Sequence, residues 1–146
     1  MKFALVVSQY HAFVTDRLEA GARTALAEAG VAAGDVETFR VPGAFELAQA
    51  AERLAESGRW AAVVCLGCLI KGETPHFDYI ATAAARGILR AAQETGVPVA
   101  FGVLTTHTAD EALARAGEND SNKGREAALA ALEMARLYQR LDRDRA

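Results

Sequence analysis

The residue pattern predicts an α/β fold: a single domain over residues 1–146, built as a three-layer α/β/α sandwich around a four-stranded parallel sheet. Four short apolar, β-branched runs read as strands buried on both faces, namely Phe3–Ser8, Val36–Val41, Ala61–Ile70 and Val97–Thr105. Helical patterns alternate with these runs, and that alternation joins neighbouring strands in parallel. A chain of 146 residues also buries one sizeable core without staples.

The first strand, FALVVS, leads to a helix over Thr15–Ala29, with Leu18, Ala22, Ala25, Leu26 and Ala29 on one face and Gly30 as its stop. After the second strand, Phe45–Ser57 carries Leu47, Ala50, Ala51 and Leu54, then ends at Gly58. After the third, His76–Thr95 carries Phe77, Ile80, Ala84, Ile88 and Ala91, and Gly96 and Pro98 close it. The fourth strand is followed by a short helix over Ala109–Ala116, the loop GENDSNKG, and a last helix over Arg125–Leu141.

Composition excludes several functions. Apolar residues make up 51% and charged residues 24%, as in ordinary globular proteins. The net charge of −3 and the absence of any Lys/Arg run give no footprint for nucleic acid. No segment approaches the ~20 apolar residues of a membrane span. The amino terminus, MKFALVVSQYHAF, lacks a small-residue cleavage site and reads as a first strand, so the expected compartment is the cytoplasm. The two cysteines, Cys65 and Cys68, match C-x-x-C but lie inside a strand pattern, where residues three apart point to opposite faces. A redox pair opens a helix and a zinc site needs two further ligands, so both read as small core residues.

The unusual residues cluster after strands: SQYH, VPGAFE, KGETPH and TTH. In parallel sheets the ligand crevice lies outside the carboxyl ends of the strands, so four such loops describe one site. In KGETPH, Gly72 lets backbone approach a ligand, and a helix start offers unpaired amides to an anion. The same stretch is also a plain helix start, with Thr74 as cap and Pro75 at the first helical position; both readings hold together. His76 falls in the first helical turn, where the dipole keeps the ring neutral near neutral pH and ready to shuttle protons. His11 and His107 also follow strands, but no ligand spacing or carboxylate cluster accompanies them and no metal is expected.

Phe45 and Glu46, after the turn at Pro42 and Gly43, suit a planar hydrogen-bonding heterocycle, with Tyr10 as a second aromatic surface. Core packing for the rings and a dipole partner for Glu46 are the competing accounts. Arg115 and Lys123 flank the tail loop, where a solvated surface pair is the ordinary alternative.

Together, VPGAFE, GCLIKGETPHFDYI, GVPVAFGVLTT and ARAGENDSNKGREAALAALEMA resemble the lumazine synthase family in order and spacing over nearly the whole chain. The resemblance implies a flavodoxin-like strand order. It also implies condensation of 5-amino-6-(D-ribitylamino)uracil with 3,4-dihydroxy-2-butanone 4-phosphate, releasing phosphate and water without cofactor or metal. By position, His76 resembles the proton-transfer histidine. Glu73 and Thr74 match the phosphate-holding backbone, Arg115 the arginine that reaches that phosphate from a neighbouring subunit, and Lys123 a lysine near it. Tyr10 matches the aromatic that stacks on the pyrimidine, where phenylalanine is usual. Ala44, Phe45 and Glu46 match the loop beside the ribityl-uracil. Cys68, Leu69 and Ile70 match the strand end that binds its ring, and Phe101 the aromatic from the adjacent subunit.

Two departures stand out. His11 replaces an asparagine common in the family, and the chain starts almost directly at the first core strand, where many members carry an additional amino-terminal strand. The apolar surplus on the last helix (Ala127, Ala128, Leu129, Ala130, Ala131, Leu132, Met134, Ala135, Leu137) and on His76–Thr95 predicts a second buried face. With the resemblance, that implies a homopentamer, an icosahedral shell of pentamers and a functional link to riboflavin synthase. A binding or shell-forming protein without catalysis and a flavodoxin-like electron carrier are the alternatives. The presence of His76, Arg115 and Lys123 together favours an active enzyme.

Overall fold

In the computed structural model, which describes residues 1–73 and 75–145, strands and helices alternate as β1 (Phe3–Ser8), α1 (Ala12–Glu28), β2 (Val36–Val41), α2 (Leu47–Glu56), β3 (Ala62–Ile70), α3 (Phe77–Thr95), β4 (Val99–Thr106), α4 (Ala109–Ala114) and α5 (Lys123–Arg145). The strands form one parallel sheet in the order β2-β1-β3-β4, the flavodoxin-like order expected. Every residue of β1 and β3 is buried, as continuous apolar runs between two helical layers must be.

Alternation along the central strands divides the core in two. Phe3, Leu5, Val7, Val64, Leu66 and Cys68 face α1 and α5. Ala4, Val6, Val63, Cys65 and Leu69 face α2 and α3. The cysteines therefore lie on opposite sides of the sheet, both free and buried. Burial alone pushes the Cys65 thiol up to about 12. Burial, with the Glu73 carboxylate adding to it, pushes Cys68 up to about 11.

Element ends depart from the expected ones for local reasons. α1 begins at Ala12, three residues early, because His11 takes a left-handed conformation (φ 60°, ψ 47°) and its carbonyl accepts from the amides of Val14 and Thr15. Thr15, fully buried, donates its hydroxyl to the Ser8 carbonyl at 2.7 Å, tying the helix start to the end of β1. α2 is preceded by a 3₁₀ turn over Ala44–Glu46. β4 starts at Val99 because Pro98 has no amide to donate. α5 starts at Lys123 because Asn122 caps it: the side-chain oxygen accepts from Arg125 N at 3.0 Å. α1 and α5 meet at Gly124, which lies against the Leu18 carbonyl with no room for a β-carbon. Among the described residues, no helix is long and apolar enough to cross a membrane.

Candidate active site at the carboxyl end of the sheet

The strand order reverses direction at β1, which is flanked by β2 on one side and β3 on the other. A crevice opens at such a switch point. The ladder shows why here. β3 pairs with β1 only as far as Val7↔Leu66, yet pairs with β4 as far as Ile70↔Thr106. The end of β3, including Cys68, Leu69 and Ile70, thus extends beyond β1 with one ladder edge open. All three residues are buried, with side chains packed into the two core layers, and the ladder edge left unpaired by β1 is the backbone they have to offer. Backbone donors and acceptors in a row suit the edge of a hydrogen-bonding heterocycle.

Loops from all four strands gather around this edge. Gln9 N donates to Val41 O at 2.8 Å and Tyr10 N to Pro42 O at 3.2 Å, binding the β1 loop to the β2 loop. Lys71 N donates to Thr106 O at 2.8 Å, binding the β3 loop to β4. The β1 and β3 loops meet through side chains: His11 Nε2 lies 3.4 Å from Glu73 Oε2. Burial lowers the His11 imidazole below its usual value, and the Glu73 carboxylate opposes that shift.

Tyr10 and Phe45 present aromatic rings at the crevice rim, 52% and 58% exposed, so neither is the core packing that competed with the binding account. Ala44 is buried beneath Phe45, and Glu46 closes the turn with its amide bonded to Gly43 O at 3.2 Å. Gly72 has φ +92°, a backbone that a side chain disfavours, and it turns the chain out of β3. His76 is one position earlier than expected relative to its helix. It is the residue before α3, and its carbonyl accepts the Ile80 amide at 2.9 Å. Pro75 accordingly lies outside the helix and not at its first position, while Thr74 falls outside the described residues. The His76 ring lies 6.4 Å from that of the exposed Tyr79.

The remaining expected residues lie elsewhere in the chain. Phe101 sits mid-strand on β4, opposite Cys65, and is 37% exposed at the sheet edge. Arg115 and Lys123 flank the tail loop and converge on Glu126, at 3.1 Å and 3.6 Å. Arg115 Nε also donates to Ser121 O at 3.0 Å, and Lys123 N to Arg115 O at 2.8 Å. Among the described residues, neither pairs with a side chain of the β3–α3 loop. A groove of about 900 Å³ between α1 and the tail loop, lined by Arg17, Gly21, Thr24, Asn119 and Arg125, lies away from the strand ends. Among the described residues, no three His, Cys, Asp or Glu side chains group together as metal ligands would.

Sequence reasoning missed the His11–Glu73 contact and the role of Glu126. The first joins residues from two loops and has no local signal. The second was legible as the i,i+3 spacing of Lys123 and Glu126 at a helix start.

The family model described as 6,7-dimethyl-8-ribityllumazine synthase matches residues 1–139. A protein of Syntrophus aciditrophicus named 6,7-dimethyl-8-ribityllumazine synthase is 48% identical over 141 residues, covering 97% of this chain and 92% of its own. One of the same name from Deinococcus radiodurans is 50% identical over 143 residues, covering 98% and 92%. A family match spanning nearly all of the chain, with relatives at this identity and coverage, makes the chain a member of the 6,7-dimethyl-8-ribityllumazine synthase family.

Proposed function

We infer that the chain condenses 5-amino-6-(D-ribitylamino)uracil with 3,4-dihydroxy-2-butanone 4-phosphate to form 6,7-dimethyl-8-(D-ribityl)lumazine, the penultimate step of riboflavin biosynthesis. Family membership carries this conclusion, and the crevice at the β1/β3 switch point agrees with it. The open edge of Cys68–Ile70 receives the pyrimidine ring, Tyr10 and Phe45 cover its faces, and Ala44–Glu46 lie along the ribityl chain. The β3–α3 loop receives the phosphate, with the main-chain amides of Glu73 and Thr74 as the family resemblance implies.

The chemistry needs little beyond positioning. The amine attacks the ketone and loses water to give an imine. Phosphate then leaves with its bonding electrons as a neighbouring proton is removed, and the ribitylamino nitrogen closes the ring onto the remaining carbonyl carbon with loss of a second water. Holding amine and ketone together removes most of the entropic cost. His76, beside the phosphate loop, moves the protons.

Assembly into a homopentamer completes the site. Among the described residues, Arg115 and Lys123 pair with Glu126 and not with the β3–α3 loop, and Phe101 lies mid-strand on β4, which suits residues given to a neighbour's site. A groove of about 390 Å³ between α3 and α5, beside the free edge of β4, is lined by Leu89, Pro98, Val99, Ala130, Met134 and Tyr138. Leu89 is 59% exposed and Met134 38%, an apolar face that a second copy would bury. Pentamers closing into an icosahedral shell, with riboflavin synthase as functional neighbour through the shared lumazine, extend the same proposal. A cytoplasmic location is supported by the two buried, unpaired cysteines; recovery in an exported fraction would overturn it.

Mixing the purified chain with both substrates should produce the lumazine chromophore, and its absence would overturn the assignment. Light scattering tests assembly: a monomer or dimer at micromolar concentration would sink the pentamer, and a lone pentamer would sink the shell.

A further inference from the structure

His11 is the one non-glycine residue with positive φ among those described. A left-handed histidine costs free energy that glycine would not, so something about this side chain offsets that cost. Its ring has three neighbours. Tyr10 lies 4.3 Å away, centroid to centroid, nearly perpendicular. Phe13 lies 5.7 Å away, also perpendicular. The Glu73 carboxylate lies 3.4 Å from Nε2. The ring is only 9% exposed, although Tyr10, Phe13 and Glu73 are all substantially open to solvent. A buried polar ring between exposed neighbours is a spacer with three fixed contacts.

Those contacts join the two halves of the crevice. Tyr10 belongs to the pyrimidine side, and Glu73 to the loop on the phosphate side. Among the described residues no backbone hydrogen bond runs directly between these loops: the β1 loop is tied to the β2 loop and the β3 loop to β4.

We propose that His11 is a positioning residue that acts through Glu73, setting the β3–α3 loop at a fixed distance from Tyr10 so that the phosphate-bearing ketone and the heterocyclic amine meet in reacting geometry. The inference rests on the substrate placement proposed above. The ring itself touches neither reacting atom. Its contribution is the relative placement of two loops that the sheet ladder leaves independent.

The test is a double-mutant cycle in the assembled enzyme with His11→Gly, Glu73→Ala and the combination. His11→Gly removes the ring and also relieves the left-handed backbone, so the variant folds at least as readily as the parent. Glu73→Ala keeps the backbone that faces the phosphate. Each single variant should raise KM for the phosphate-bearing substrate about tenfold, the scale of coupling between contacting residues. The double variant should be no worse than the worse single, because both remove one contact. Thermal melting should show no loss of stability for His11→Gly. Wild-type KM values in His11→Gly, or a double variant whose defect is the product of the two singles, would overturn the proposal. Equal KM increases for both substrates in Glu73→Ala would instead overturn the placement of phosphate at this loop. A parent enzyme that forms no lumazine would fail earlier still and overturn the function with it.

Discussion

Gly124 at the start of α5 lies flush against the main-chain carbonyl of Leu18 in α1, and a β-carbon there would overlap the oxygen. Backbone cannot rotate away as a side chain can. Gly124→Ala must therefore push the first and last helices apart, loosening contacts between Leu18, Ala22 and Ala128, Ala131. Overpacking of this kind costs about 1–3 kcal/mol, and a backbone clash lies at the upper end or above. In urea the midpoint should fall with the slope unchanged; a stability equal to the parent's would mean that the helices separate freely.

His76→Ala should slow turnover and leave the fold intact, because the residue sits outside the α3 hydrogen-bonded core at an exposed helix start. General acid–base groups contribute about 10²–10⁴-fold, and the low end or less applies where amine and ketone condense once held together. Single-turnover formation of lumazine is the measurement. An unchanged rate at saturating substrates would remove His76 from proton transfer.

Arg115→Ala should weaken the phosphate-bearing substrate far more than the pyrimidine, since a guanidinium holds phosphate through two parallel hydrogen bonds. Within the chain that guanidinium is paired with Glu126, so a phosphate held there would have to compete with a carboxylate. Glu126→Gln should then tighten the phosphate-bearing substrate by several-fold at low salt, the scale of an exposed ion pair. Equal loss of both substrates in Arg115→Ala would mean that Arg115 acts through structure.

Alkali should destabilise the fold through its thiols. An exposed cysteine ionises near 9.0, whereas folding holds Cys65 protonated to about 12. Between those values the unfolded chain has released a proton that the folded chain retains, so stability falls as pH rises. Below that window the term is constant. Cys65→Ala should flatten the decline in unfolding free energy above pH 9.0, and an identical slope would assign the decline to other groups. Native protein should also resist alkylation at both cysteines, which are buried.

The strands were the most legible part of the chain. Phe3–Ser8 lies where its apolar, β-branched run placed it, buried on both faces. Val36–Val41 has the expected limits but not the expected burial: it is an edge strand, and Glu37 and Arg40 are exposed on it. Helix starts were less legible. The early start of α1 depends on a left-handed His11, which no periodicity announces, and the start of α5 depends on Asn122 reaching Arg17 O and Gly117 O as well as its own helix. The rim residues Tyr10 and Phe45 could be located after strands, but whether they face solvent depends on where neighbouring loops fall. The overhang of β3 beyond β1 is a property of register, and register is set by two strands together.

The pairing of α1 with α5 also has a consequence for biosynthesis. Asn122 bonds to Arg17 O across 105 positions, and the shared cluster runs from Leu18 to Ala135. A ribosome adds about 5–20 residues per second, so the nascent chain carries the apolar face of α1 uncovered until nearly its whole length has emerged. The opposite face, formed by β1, α2, β3, α3 and the first half of β4, has all its parts by Val103. One side of the sheet can therefore close during translation while the other waits for termination. Stalled chains ending before Lys123 should protect α2 from hydrogen exchange and leave α1 open, and equal protection of both would refute this order. In the interval the exposed flank is the part of the molecule that a trigger-type chaperone would meet first.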